Sequence, residues 1–419
     1  MNEDDIYRTS TQYRLWSFTP DSLASLRSTT NSLAADRVRA AIKRLRQSQA
    51  SGSDAPAAHE NGGQSGTVKR LQEQNVIDCL SVEEEKMLVG YYCSKAMELA
   101  DFCDFPTNVK VGRRPGWQMR SLQHAHDGVQ GTAVQYLKRF YLSNSPMTYH
   151  PKEMMPSAIF LSTKTENHYT SLKAFVSKLP KTTAEDVVAP EFLLTQGLRF
   201  TFDVRHPQRG LEGGLLELLA LATGKGQPAA SLEKTPIQLQ GDMMKVEPTR
   251  GAKTVARSPG DLKARIQNAH GKAKDILKTS ALLTDAYFLY TPAQIWLATL
   301  LLVDEPLALF YLDVKLPPQS GVKLKLVSTL RTCAETLQSS ASMSPSGEEL
   351  KELTRIDKKL YKCRNPEKMD LVGINKAQKR EGEGMREDGV AEKIIKKRKL
   401  EREKGMKEAE AVFGPPIGS

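Results

Sequence analysis

After "SVEEEK" (81–86), apolar residues Leu88, Tyr91/Tyr92, Ala96, Leu99 and Phe102/Cys103 recur three and four positions apart. That spacing is one face of an α-helix, and Ser81 with Glu84 supplies a capping box at its start. The same period predicts helices over about 20–46, 129–143, 151–164, 170–178, 184–198, 292–303, 320–339 and 346–362. Another opens at "SPGDLKARIQNAHGKAKDILK". In the first, Thr19 serves as cap and Pro20 takes the first helical position. No segment alternates convincingly with period two; "LRFTFDV" (198–204) comes nearest and is short. The chain is predicted to be all-α.

Two of these helices repeat one another. Residues 149–164, "YHPKEMMPSAIFLSTK", and 290–305, "YTPAQIWLATLLLVDE", both place Tyr-x-Pro before a helix that is apolar nearly all round. Such a helix belongs in the middle of a bundle, which predicts two bundles of about five helices, each with one central helix. Thirteen residues after the proline stands Lys164 in the first copy and Glu305 in the second. A cation is therefore not a general requirement of that helix end, although a terminal lysine is a common partner for the helix dipole.

Between the helical stretches lie polar segments too poor in apolar residues to order themselves. "SQASGSDAPAAHENGGQSGT" (48–67) reads as a flexible linker, 224–258 as a disordered insertion, and 366–419 as a charged disordered tail. Net charge is +11, but the basic runs "DRVRAAIKRLRQ" (36–47) and "EKIIKKRKLEREK" (392–404) carry no aromatics for base stacking, and the second is interleaved with acids. Direct nucleic-acid binding is not expected. There is no apolar span of membrane length, and the acidic start "MNEDDIYRTS" is unlike a signal peptide, so a soluble intracellular protein with no membrane contact is expected. Five cysteines are scattered without a C-x-x-C, which argues against a zinc ribbon and a disulfide framework. No P-loop, G-x-S-x-G or H-E-x-x-H occurs. Neither a catalytic residue, a metal nor a cofactor is expected.

Several stretches resemble cyclins, most closely the fungal cyclin H group. They are "VQYLKRFYLSNSPMTYHP" (134–151), "LTQGLRFTFDVRHPQRGLEG" (194–213), "LLTDAYFLYTPAQI" (282–295) and the N-terminal "YRTSTQYRLWSFTPDSLASLR" (7–27). The resemblance implies two five-helix cyclin boxes flanked by N- and C-terminal helices. It implies a regulatory subunit with no catalytic activity of its own, which activates a cyclin-dependent kinase. That enzyme is the CDK-activating kinase of transcription factor IIH, whose substrates are CDK activation loops and the repeat tail of RNA polymerase II. The implied partners are the kinase catalytic subunit, a RING-finger assembly factor and core transcription factor IIH, in the nucleus. Within it, Lys164 is similar to the lysine of the first box, and Glu191 in "APEFLLTQGL" to its glutamate partner, both bonding the kinase αC-helix backbone. Phe160, Leu161, Phe192 and Thr195 are implied as further contacts, with Phe160 and Leu161 equally readable as core; Tyr13 and Trp16 of the N-terminal segment are candidates too. The residues alone leave two accounts of Glu191: Pro190 opens a helix there, or Thr183 caps an earlier start and Pro190 kinks it. "KKRK" (Lys396, Lys397, Arg398, Lys399) fits a nuclear localisation signal. The competing reading is a cyclin-fold general transcription factor of the TFIIB type that binds DNA, but that family's zinc ribbon is missing.

The expected organisation is an N-terminal helical segment (1–47), a linker (48–75), a first box (76–203), a second box (204–340), a C-terminal helix (341–365) and a tail (366–419). The first box departs from the cyclin pattern at 111–130, "VGRRPGWQMRSLQHAHDGVQ", an irregular insertion. His124-x-His126 within it lacks the further ligands a metal site requires. A surface loop is one account. A retained intron is the account we favour, because valine codons begin GT, a glutamine codon can be CAG, and removal leaves "TNVKGTAVQYLKRF". It predicts that a tryptic digest of the native protein contains no peptide from 111–130; recovering one rules it out.

Overall fold

Side-chain caps start many of the helices. Ser10, Ser81, Thr183, Thr235, Thr291 and Ser346 each accept a first-turn backbone N–H that would otherwise have no partner. The computed structural model describes residues 3–51, 77–103, 118–227, 232–248, 258–316, 321–339 and 346–376, and among them there is no strand. Helices α1 (Glu3–Thr9), α2 (Thr11–Trp16) and α3 (Pro20–Ser51) come first. A first bundle follows, of α4 (Val82–Phe102), α5 (Gln118–Ser143), α6 (Pro151–Thr165), α7 (Leu172–Val176) and α8 (Ala184–Gly197). Next come α9 (Gln208–Ala222), α10 (Pro236–Met244), α11 (Pro259–Lys278), α12 (Ser280–Leu283) and α13 (Ala286–Leu289). They form a second bundle with α14 (Pro292–Val303), α15 (Glu305–Lys315) and α16 (Gly321–Gln338), and α17 (Gly347–Lys362) closes the series. Residues Met1–Pro366 make one compact unit; Glu367–Ser419 make another, in which Gly373 N donates to Asp370 Oδ1 at 2.7 Å.

The two repeat copies are the central helices. α6 packs against α4, α5 and α8, and α14 against α9, α11, α15 and α16, which is why both are apolar on nearly every side. The flanking helices meet on the first bundle: Ala34, Ala35 and Val38 of α3 share a core with Leu88, Met147, and Ile356 and Leu360 of α17.

Three expectations are corrected. The stretch 224–258 was expected to be disordered, yet a Thr235/Gln238 capping box opens α10 inside it, and burial of Leu239 and Met243 holds that helix in place. The insertion 111–130 was expected to be irregular, yet from Gln118 it is the first part of α5. Val129 and Gln130 are buried there, with Gln130 Nε2 donating to Met97 O and to Asp101 Oδ1, both at 3.1 Å. α9, absent from the predicted helices, buries Leu211, Leu215, Leu218 and Leu221 on one face.

Two of the stretches that carry the resemblance, "KRFYL" (138–142) and "TDAYFLYTP" (284–292), form the joint between the bundles. Lys138 and Arg139 of "KRFYL" are buried in α5. Lys138 Nζ donates to Leu282 O at 3.0 Å and also to Thr284 O, and it lies 5.3 Å from the centre of the Phe288 ring. Burial pushes its ammonium down to about 8, with nearby Asp285 opposing that shift. Arg27 of α3 grips Asp285 with two bonds of 2.8 and 2.7 Å, and Lys86 of α4 stands 3.4 Å away. Burial alone would raise the Asp285 carboxyl, but the Arg27 bonds and the charges of Lys138 and Arg27 outweigh it and hold the group well below the usual range. Arg139 donates to Asp203 O and Gln12 Oε1 and stacks 5.2 Å from the Trp16 ring. His206 completes the joint. Thr132 gives its proton to Glu166 at 2.6 Å, so His206 Nε2–H donates to Thr132 Oγ1 at 2.9 Å and Nδ1 accepts from Tyr287. Burial lowers His206 to about 4 and keeps it neutral.

Asp285→Ala leaves Arg27 and Lys138 without their counter-charge, and urea unfolding at pH 7 is expected to show a loss of about 3 kcal/mol. Because the folded-state pKa is depressed, the carboxylate's contribution is present above its ordinary value of 3.8 and fades as pH falls below it. Wild type and variant should therefore converge in acid.

Candidate functional site

The structure decides between the two accounts of Glu191. Thr183 caps α8 in a reciprocal box with Asp186, and Pro190 lies inside the helix. A proline there has no N–H and disturbs the preceding turn. Ser157 of α6, fully buried, donates to Val187 O at 2.5 Å and gives that turn a partner from the neighbouring helix. One turn later, Lys164 Nζ meets Glu191 Oε1 at 2.5 Å. α6 and α8 are thus tied at two points, and the second is at the surface: the side chains of Lys164 and Glu191 are 45% and 21% exposed.

The predicted contact residues divide. Lys164, Glu191 and Phe192 lie together on the surface, with the Phe192 ring 62% exposed. Phe160 and Leu161 do not offer contact area, because they are 5% and 6% exposed. This corrects their reading as surface contacts: the Phe160 ring stacks on Phe175 at 5.5 Å inside the bundle. It still shapes the site from beneath, since the Lys164 ammonium sits 4.4 Å from its centre and is held there by a cation–π contact. Thr195 is half-buried and gives its hydroxyl to Glu191 O at 2.8 Å, so its proton is used within α8. Of the N-terminal candidates, Trp16 is buried and donates to Thr201 Oγ1 at 2.9 Å, while Tyr13 is exposed. Lys396, Lys397, Arg398 and Lys399 lie outside the described residues, as do the side chains of His124 and His126.

Two surface residues were missed. Val188 is exposed one turn before Phe192, an i, i+4 pair that the sequence could have yielded. Phe200 is 62% exposed on a turn where it and Arg199 both have positive φ, 55° and 52°. Two successive left-handed non-glycine residues cost on the order of 1 kcal/mol each, and no periodicity announces them. The result is a paired cation and anion beside exposed Val188 and Phe192. Lys164 uses one of its three N–H donors on Glu191, which leaves donors and acceptors free for the main chain of a partner. Among the described residues no group of three or more His, Cys, Asp or Glu could hold a metal ion, and no helix is long and apolar enough to cross a membrane.

Comparisons agree with this architecture. Residues 206–338 match the family described as the cyclin C-terminal domain. Over 321 residues the chain is 30% identical to Cyclin CCL1 of Saccharomyces cerevisiae, covering 77% of this chain and 64% of that one. It thus spans less than two thirds of that relative's length. With Cyclin mcs2 of Schizosaccharomyces pombe it shares 26% identity over 362 residues, 86% of each chain. A chain in the structure of the CAK complex of Chaetomium thermophilum bound to ATP-gamma-S aligns with a TM-score of 0.64 at 30% identity. That alignment covers 91% of this chain and 96% of the other. A chain of the yeast TFIIK (Kin28/Ccl1/Tfb3) complex aligns with a TM-score of 0.50 at 25% identity, over 79% of this chain and all of that one.

An exposed ion pair contributes little to stability, so Lys164→Ala with Glu191→Ala should change the unfolding free energy by no more than about 1 kcal/mol. Phe160→Ala removes a core ring and should cost about 3–5 kcal/mol. Thermal melts followed by circular dichroism compare the two.

Proposed function

The chain belongs to the cyclin family, and from that premise we propose that it is the regulatory subunit of a cyclin-dependent kinase, namely the CDK-activating kinase of transcription factor IIH. The observation that carries this reading is the Lys164–Glu191 pair, placed at the surface and flanked by exposed Val188 and Phe192. A kinase αC helix has an apolar face to bury and a main chain whose ends need partners. Val188 and Phe192 take the first, and the ammonium and carboxylate take the second with charge-assisted bonds that strengthen once water is excluded. The Phe160 ring beneath Lys164 and the Ser157–Val187 tie hold both charged groups in position before the partner arrives. Binding then holds αC inward and sets the kinase's own Lys–Glu ion pair. The cyclin chain supplies no reacting group.

The wider assignment rests on the relatives. Similar chains occur in assemblies named CAK and TFIIK (Kin28/Ccl1/Tfb3), which supports a catalytic kinase subunit and an assembly factor as partners. Phosphorylation of CDK activation loops and of the RNA polymerase II repeat tail, docking on core transcription factor IIH, and nuclear residence guided by Lys396–Lys399 belong to the same proposal. The matches to cyclins do not favour the DNA-binding alternative of the TFIIB type.

Pull-down from nuclear extract with the full chain is expected to bring a cyclin-dependent kinase and a RING-finger protein in equal amounts. Lys164→Ala with Glu191→Ala, folded by circular dichroism, should weaken kinase binding and the activity of the complex by roughly ten- to a hundredfold. Unchanged binding by that folded variant refutes the assigned surface.

A further inference from the structure

A second concave surface shares no residue with the Lys164–Glu191 site. It is a groove of about 680 Å³ bounded by α1, the segment between the bundles, α9, and α14 to α16. On one side of the groove α9 carries Gly210 and Gly214 one turn apart. A Cβ on either would come within 2.5 or 2.7 Å of the Trp296 ring, so only glycine lets the indole lie flat on the α9 backbone. Each glycine inside a helix costs roughly 0.5–1 kcal/mol relative to alanine, a cost incurred here twice on adjoining turns. Trp296 then packs edge-on against Tyr311 at 5.7 Å and is itself nearly buried, so the apolar area the groove still offers comes from half-buried Leu297, Leu316 and Leu326. Ile6 on the rim is 41% exposed. Val322, one turn before Leu326 on α16, is 62% exposed and carries the apolar strip beyond the groove.

Among the described residues the rim holds one uncompensated cation. Arg205 is matched by Asp203 at 2.8 Å and Lys315 by Glu217 at 2.8 Å, but Arg209 is exposed and forms no ion pair among the described residues. Apolar side chains would fill the floor, and a carboxylate would neutralise Arg209. The strip along α16 gives an extended occupant further apolar area to cover. The chain's own C-terminal run 392–404 has the wrong sign, with seven basic residues against three acidic. The geometry points to an acidic amphipathic segment of a partner protein as the occupant of this groove.

Panning a phage-displayed library of random peptides of about 16 residues, some four helical turns, on the immobilised full chain tests this. The enriched peptides are expected to combine large apolar residues with Asp or Glu. Fluorescence anisotropy of the best of them should weaken roughly tenfold with Arg209→Glu, which changes only an exposed side chain, and further with Leu326→Glu. Lys164→Ala with Glu191→Ala should leave it unchanged. Enrichment without acidic residues, a basic consensus, or binding indifferent to Arg209→Glu overturns the proposal. Kinase binding by Arg209→Glu is expected to be intact, so this test and that of the kinase surface fail separately.

Discussion

A lysine ammonium with almost no access to water must find fixed oxygen partners or give up its proton, and the joint between the two bundles is built around that demand. Lys138 finds Leu282 O and Thr284 O at the end of the short α12, and the Asp285 carboxylate beside it. Asp285 in turn fixes Arg27 of α3 and draws Lys86 of α4. Four segments far apart in the chain thus share one charge cluster, in which Lys138, Arg27 and Asp285 are largely enclosed and Lys86 reaches in from the surface. Removing Asp285 leaves the Lys138 ammonium and the Arg27 guanidinium without their counter-charge in a medium where that is expensive. Such a cluster permits one docking of the bundles, since a slide of even one turn would part the ammonium from its carbonyls.

That rigidity reaches the surface. α5, which carries Lys138 and Arg139, packs directly on central α6, and α6 carries Ser157, Phe160 and Lys164 in order. Ser157 fixes α8 at the turn that Pro190 disturbs, Phe160 supports the lysine, and Lys164 ends against Glu191. An exposed pair is normally mobile. Here a packed ring holds one partner and a helix anchored through Ser157 holds the other, so the proposed contact pair is fixed in place.

The resemblance was carried by motifs whose role was not visible in them. "KRFYL" and "TDAYFLYTP" carried the likeness without assigning their residues a role; Lys138, Arg139, Asp285, Tyr287 and Phe288 are joined to one another or to their neighbours inside the joint. Phe160 and Leu161 were similarly ambiguous: a large apolar residue at a helix end fits a core and an interface equally well. α10 was hidden by its polar surroundings, although its Thr235-Pro236-Ile237-Gln238 start has the pattern of Thr291-Pro292-Ala293-Gln294 at α14.

Local chemistry lies within a few residues of itself, so the sequence alone determined what depends on it. Caps, proline-led starts, the 3.6-residue period and the repeated central helix specified an all-α chain of two bundles, and Lys164 and Glu191 were legible through their resemblance to cyclins. Which face each helix buries, how Gly210 and Gly214 seat Trp296, and which charges neutralise one another were decided only by tertiary structure. Those outcomes depend on groups tens to hundreds of residues apart reaching one another, as Arg27 reaches Asp285, and no spacing along the chain records such a meeting.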